Sequence, residues 1–122
     1  MSYPTQAELE ILNLLWETGE ARVQEVHDKL SSNRNIGYTT TLKAMQVMAQ
    51  KGLLKRRLDG RSHVYAPAIP EEDTKSQLLS KFIESTFGGS NSRMVLQLLG
   101  NNKVSQQEID EIRAFLENLE GK

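Results

Sequence analysis

The chain contains no cysteine. That excludes disulfides, thiolate metal sites and a cysteine nucleophile together, and it fits a protein of the reducing cytoplasm. Histidine is nearly as scarce, with only His27 and His63. Two histidines without a cysteine give no metal-ligand spacing, so no metal and no cofactor is expected. His63 follows Ser62, but neighbours on a strand point to opposite faces and make a poor nucleophile–base pair. His27 falls on the polar side of a helix and is expected to be solvated. No Gly-rich phosphate loop or nucleophile elbow is present, and the chain does not read as an enzyme. Aromatic residues make up only 6%, too few for a platform that stacks single-stranded bases. No apolar run approaches the roughly 18 residues of a membrane span. The opening MSYPTQAELEILNLLW lacks the basic-then-apolar order of a signal peptide. The expectation is a cytoplasmic protein without membrane insertion.

What is present is a segregation of charge hidden in a net charge of −1. Residues 1–33 set Arg22 and Lys29 against six acids, Glu8, Glu10, Glu17, Glu20, Glu25 and Asp28. Residues 34–63 reverse this, with Arg34, Lys43, Lys51, Lys55, Arg56, Arg57 and Arg61 against Asp59 alone. From residue 70 onward acids again outnumber bases. A basic block inside an otherwise acidic chain points to a polyanionic partner.

Local signals divide the 122 residues at about residue 69. Thr5 and Glu8 form a capping box, and Leu9, Ile11, Leu12, Leu15 and Trp16 give the helix that follows an apolar face ending at Gly19. A second helix is expected from about Ala21 to Leu30, on Val23, Val26 and Leu30, with only Glu20 or Ala21 to cap it. After the loop SSNRNIG, a third helix covers YTTTLKAMQVMAQKG. LLKRRL and SHVYAP then read as strands joined at Asp59-Gly60, a pair that favours a hairpin because glycine tolerates positive φ. Beyond Pro67 and Pro70 the pattern is helical. Leu78, Leu79, Phe82, Ile83 and Phe87 line one helix, which ends at Gly88-Gly89. Met94, Val95, Leu98 and Leu99 line a second. A capping box of Ser105 and Glu108 opens a third, whose Ile109, Ile112, Leu116 and Leu119 form a narrow seam. The fold class is therefore mainly α with a small β-hairpin. Residues 1–69 have the helix–helix–helix–hairpin order of a winged helix-turn-helix, and residues 70–122 form a three-helix region. In that architecture the third helix enters the major groove and the hairpin touches backbone.

On the third helix, Leu42, Met45, Met48 and Ala49 share one side, with Thr41 at its edge. The other side carries Thr39, Lys43, Gln46 and Gln50, flanked by Thr40 and Val47, and has no acid. Threonine can bond phosphate or touch a thymine methyl, glutamine can pair with adenine, and lysine can reach guanine or phosphate. Thr39 could equally be the helix cap, in competition with Gly37. Arg57 and Arg61 on the wing suit phosphate. Lys51 suits the negative end of the third helix, and Tyr65 suits the core.

These features together resemble the penicillinase-repressor family. The resemblance rests on ILNLLW at Ile11–Trp16, on YTT at Tyr38–Thr40 followed by a helix ending in Lys51-Gly52, on DGRSHVYAP at Asp59–Pro67, and on FGGS at Phe87–Ser90. It implies a bacterial transcriptional repressor in which a homodimer, interlocked through its three C-terminal helices, binds double-stranded operator DNA of two-fold character. The interface would comprise the apolar positions Leu78, Leu79, Phe82, Ile83, Phe87, Val95, Leu98, Leu99, Ile109, Ile112, Leu116 and Leu119. In the antibiotic-responsive branch a membrane metalloprotease sensor system triggers cleavage in the middle C-terminal helix, here Met94–Gly100. Well-known members are cut at an Asn-Phe bond; the similar place in this chain is Gln97-Leu98. Copper-responsive relatives end in a cysteine cluster that this chain lacks. Many relatives carry Asn-Arg where this chain has Gln46-Val47, which implies a different operator sequence. Two other readings are compatible with the residues. One is a ligand-responsive winged-helix repressor resembling the MarR family, although only four residues precede the first helix. The other is a winged helix that binds protein and not DNA.

Overall fold

The computed structural model describes residues 3–32, 34–101 and 103–121; Asn33, in the loop SSNRNIG, lies outside them. The order of elements is α1 (Gln6–Thr18), β1 (Ala21–Arg22), α2 (Val23–Leu30), α3 (Tyr38–Gln50), β2 (Leu54–Asp59), β3 (Ser62–Pro67), α4 (Glu71–Phe87), α5 (Asn91–Gly100) and α6 (Gln106–Glu120). The chain divides into two compact units, Met1–Leu78 and Leu79–Lys122, with the division inside α4.

In the first unit the capping box forms as the sequence expects. The Thr5 N–H donates to Glu8 Oε1 at 2.9 Å and the Glu8 N–H to Thr5 Oγ1 at 3.2 Å, so two free donors of the first turn of α1 are satisfied reciprocally. Gly19 ends α1 at φ 90°. The next segment differs from the expected helix over Ala21–Leu30. Ala21 and Arg22 are extended and pair with Tyr65 and Val64, which makes a third strand and a sheet of order β1-β3-β2. The helix starts two residues later because Arg22 caps it through its backbone, its N–H donating to Glu25 Oε1 at 2.9 Å. A β-hairpin alone is marginal in water; β1 gives β3 a partner on its second side.

The core of this unit gathers Ile11, Leu12 and Leu15 from α1, Val23 and Val26 from α2, and Met45 and Met48 from α3. It closes over the sheet through Ala21, Leu54 and Tyr65, three residues whose register places them on one face. Tyr65 is 1% exposed, as its expected core position requires. The start of α4 belongs to the same unit: Trp16 Nε1 donates to the Ile69 carbonyl at 3.0 Å, Lys75 Nζ stands 5.6 Å from the Trp16 ring centroid, and Thr74 is buried. Glu71, Glu72 and Asp73 in the first turn complement the positive end of the helix dipole.

The second unit is built differently. Ser90 caps α5, and Ser105 with Glu108 forms the expected capping box on α6. Yet Ile83 is the only buried residue among the described residues 79–121. Leu79, Phe82, Leu98, Leu116 and Leu119 are each about half exposed. Leu96 and Phe115, which the apolar seams read from sequence omit, are exposed as well. Among the described residues no helix is long and apolar enough to cross a membrane.

Candidate nucleic-acid interface

α3 is anchored by what it buries. Met45 and Met48 are fully buried and Thr41 is 2% exposed, which fixes the rotation of the helix and leaves Thr39, Thr40, Lys43, Gln46 and Gln50 on the exposed side. Gly37 is the N-cap, and no side chain caps the helix. Thr39 is therefore the second residue of the helix, and its capping alternative falls away. The Thr40 and Thr41 N–H groups donate to the Gly37 carbonyl at 3.1 and 3.3 Å. The side chains of Thr39, Thr40, Lys43, Gln46 and Gln50 have no hydrogen-bonding or ionic partner among the described residues. The exposed side thus offers two hydroxyls, an ammonium and two amides, with no carboxylate among them.

Thr41 is turned inward by more than hydrophobic packing. Its Oγ1 lies 3.1 Å from His27 Nδ1, and the His27 ring meets the Tyr38 ring edge-on, centroids 5.6 Å apart at 77°. His27 is half-buried, so the sequence expectation of a solvated histidine is corrected. α2 and α3 pack against each other there, and the imidazole ties α2 to the first turn of α3.

The wing is stiffened by arginine. β2 and β3 pair in the register Asp59↔Ser62, with Arg57 opposite Val64 and Val64 opposite Arg22. These residues share one sheet face. Val64, only 7% exposed, lies between the two arginine stems, whose methylenes can cover it while their heads stay in water. Arg22 Nη2 pairs with Asp59 Oδ2 at 2.9 Å, and Arg22 Nη1 donates to the Ser62 hydroxyl. Arg57 pairs with Glu20 at 2.9 Å and lies 3.7 Å from Asp59. On the opposite face Arg56 Nη1 donates to the Tyr65 hydroxyl at 3.4 Å. Gly60, at φ 72°, opens the turn and leaves Arg61 exposed at its tip.

The basic block is therefore not uniformly free. Arg34 pairs with Glu10 at 2.7 Å, Lys51 with Glu8 at 2.7 Å, and Arg57 with Glu20. Lys43, Lys55 and Arg61 have no ionic partner among the described residues. Lys51 caps the C-terminus of α3, where its charge also meets the negative end of the dipole. Burial by itself pushes the Glu8 carboxyl up. The Lys51 hydrogen bond, the Thr5 backbone N–H and the Lys51 charge outweigh that, and the carboxyl is held below the ordinary glutamate value.

The candidate DNA-contacting residues all lie in the first unit, on α3 and the wing. The apolar positions from Leu79 to Leu119, and the Gln97-Leu98 bond inside α5, lie in the second; Leu78 is the last residue of the first. Sequence reasoning missed the pairing of Glu20 and Arg22 with the wing residues Arg57, Asp59 and Ser62, because it depends on β1, and a strand of two residues carries no periodicity.

The penicillinase repressor family profile matches residues 4–118. The penicillinase repressor of Bacillus licheniformis is 30% identical over 113 residues, 93% of this chain and 88% of that protein. The methicillin resistance regulatory protein MecI of Mammaliicoccus sciuri is 25% identical over 112 residues, 92% of this chain and 91% of that one. The transcriptional regulator BlaI of Mycobacterium tuberculosis is 29% identical over 112 residues, 90% of this chain and 80% of that one. Among solved structures, the solution structure of the DNA-binding domain of the repressor BlaI is 30% identical with a TM-score of 0.51, covering 57% of this chain and 84% of that one. The Bacillus licheniformis BlaI monomer in complex with the blaP half-operator is 29% identical with a TM-score of 0.51, covering 59% of this chain and 88% of that one. With a winged helix in its first unit and a family match over nearly its whole length, the chain belongs to the penicillinase repressor family.

Proposed function

We propose that the protein is a sequence-specific transcriptional repressor that binds double-stranded operator DNA as a homodimer. The observation that carries this reading is the exposed side of α3, where Thr39, Thr40, Lys43, Gln46 and Gln50 are unpartnered among the described residues and no acid intervenes. A side of that composition gains nothing for helix stability. It suits a surface of phosphates and base edges. A family relative whose structure was solved with a half-operator supports the same partner. In this reading α3 lies in the major groove and Arg61 grips the flanking backbone. Arg57 joins it by exchanging Glu20 for phosphate.

The half-exposed leucines and phenylalanines of α4, α5 and α6 support dimerisation, since a second copy would remove them from water. Two half-site contacts then act as one, the second becoming intramolecular. The operator is accordingly two-fold. Proteolysis at the Gln97-Leu98 bond, as part of a response to a membrane metalloprotease sensor, would split α5, free the half-sites from one another and end repression.

The test is binding to duplex DNA from upstream of the protein's own gene, measured against salt for the parent, Lys43→Ala and Arg61→Ala. If Lys43 meets phosphate, its loss weakens binding alike across sequences and lowers the salt slope by about one per site; a base contact instead relaxes preference at one position. Unchanged affinity in both variants would remove the assignment of helix and wing.

A further inference from the structure

Between α3, the start of α2 and β3 lies a cleft of about 260 Å³. Val23, Leu42 and Tyr65 give it an apolar floor, and Arg22, Gln24, Tyr38, Gln46, Ser62 and His63 form a polar rim. No carboxylate lines it. Three of the rim groups are engaged elsewhere: Gln24 Nε2 donates to Asp28 at 2.8 Å, the Ser62 hydroxyl receives Arg22, and Arg22 also pairs with Asp59 at 2.9 Å. Three remain. The Tyr38 hydroxyl, the Gln46 amide and the His63 ring nitrogens have no hydrogen-bond partner among the described residues. The two rings are nonetheless positioned. Tyr38 stands edge-on to His27, and His63 stands 6.3 Å from Tyr65 at 60°. They are held in place, with their polar atoms free.

We infer that this cleft receives one sugar–phosphate unit of the duplex bordering the groove, with Tyr38 Oη and a His63 ring N–H donating to the phosphate. The inference rests on the DNA-binding reading above and adds a contact site on each half-operator. Three features favour duplex backbone as the occupant. Gln46 lines both the cleft and the exposed side of α3, so a helix seated in the groove brings the cleft against the strand that borders it. No acid lines the rim, and its free groups are donors beside Arg22, whose charge is shared with Asp59, which suits an anion. The apolar floor suits the hydrocarbon face of a deoxyribose, while neutral donors of the rim's kind commonly bind phosphate oxygens and fix register without reading sequence.

The experiment is a fluorescence anisotropy titration of the full-length protein with two duplexes. One comes from upstream of its own gene, and the other is unrelated and of equal length. Tyr38→Phe keeps the ring against His27 and removes only the hydroxyl. His63→Ala removes the donor, and His63→Gln restores one. Each of the first two is expected to weaken binding to both duplexes by about five- to thirtyfold, since a dimer loses two hydrogen bonds. His63→Gln is expected to recover most of the loss. Parent-like affinity in both Tyr38→Phe and His63→Ala, with Lys43→Ala still impaired, would overturn this inference and leave the DNA-binding reading standing. A loss confined to one base-pair position would also overturn it, because phosphate contacts carry no such preference. A parent protein without affinity for either duplex would overturn both readings.

Discussion

The wing offers a quantitative test of which cations meet DNA. Neutralising one phosphate lowers log affinity by about 0.9 per unit of log salt. Between 50 and 200 mM salt, a fourfold rise, one contact therefore weakens about 3.5-fold, and two symmetry-related contacts weaken about twelvefold. Arg61 has no ionic partner among the described residues and brings its whole charge to the backbone. Arg61→Ala should flatten the salt slope of dimer binding by about 1.8. Arg57 is placed otherwise, 2.9 Å from Glu20 and 3.7 Å from Asp59. It must give up or share a carboxylate to reach phosphate, so part of its charge is balanced before DNA arrives. Arg57→Ala should flatten the slope by distinctly less. Glu20→Gln removes the competing carboxylate. In that background affinity should rise, and Arg57→Ala should then cost more slope than it does with Glu20 intact, approaching Arg61→Ala, with Asp59 at 3.7 Å still balancing part of the charge. The assay is anisotropy across a salt series with one duplex and five proteins: the parent, Arg61→Ala, Arg57→Ala, Glu20→Gln, and Glu20→Gln with Arg57→Ala. Equal slopes for Arg57→Ala and Arg61→Ala with Glu20 intact would refute the reasoning, because the ion pair would then not restrain Arg57. The pair itself is a surface one, with side chains 57% and 53% exposed, and such pairs contribute about 0–1 kcal/mol. Folding should be nearly unchanged, and the effect belongs to binding.

Two further perturbations test the framework around the interface. The Glu8 carboxyl is held below its ordinary value, so it adds stability that is full above the unfolded-state value and is lost as pH falls through the folded one. Lys51→Ala should cost about 1–2 kcal/mol in urea melts at neutral pH, with the gap narrowing once Glu8 is protonated; the same gap in acid would show that the pair is not its source. In the second unit, Phe82→Glu with Leu116→Glu places charges on two exposed apolar positions. Light scattering should report monomers, with operator affinity reduced about 10²–10⁴-fold for loss of linkage; a dimer that persists would refute the assignment of these faces.

What was legible in the sequence was what local chemistry decides. The Thr5–Glu8 and Ser105–Glu108 boxes, the turn at Gly60 and the burial of Met45 and Met48 each depend on a few consecutive residues or on one helical period. What was not legible depends on distant partners. Ala21 and Arg22 are extended because β3 lies beside them; as an isolated segment they read equally well as the start of a helix. The surplus of bases over residues 34–63 was visible, yet Arg34, Lys51 and Arg57 find their acids in the preceding segment, at Glu10, Glu8 and Glu20. Net charge over a window locates a basic surface. Which of its cations remain free is a tertiary property.

The three threonines that open α3 join these two levels. Helical spacing alone separates Thr39 and Thr40 from Thr41, and the structure buries only the last. Their propensity cost is about 1–2 kcal/mol in total. Burying Met45 and Met48 completely contributes about 1.5–3 kcal/mol for each, and the hydrogen bond between Thr41 and His27 secures the first turn to α2. The stability of α3 therefore comes from its inner side and its neighbours, not from the residues it exposes. Because the exposed side is not needed to hold the helix, poor helix formers can stand there, and their hydroxyls are left for a partner outside the chain.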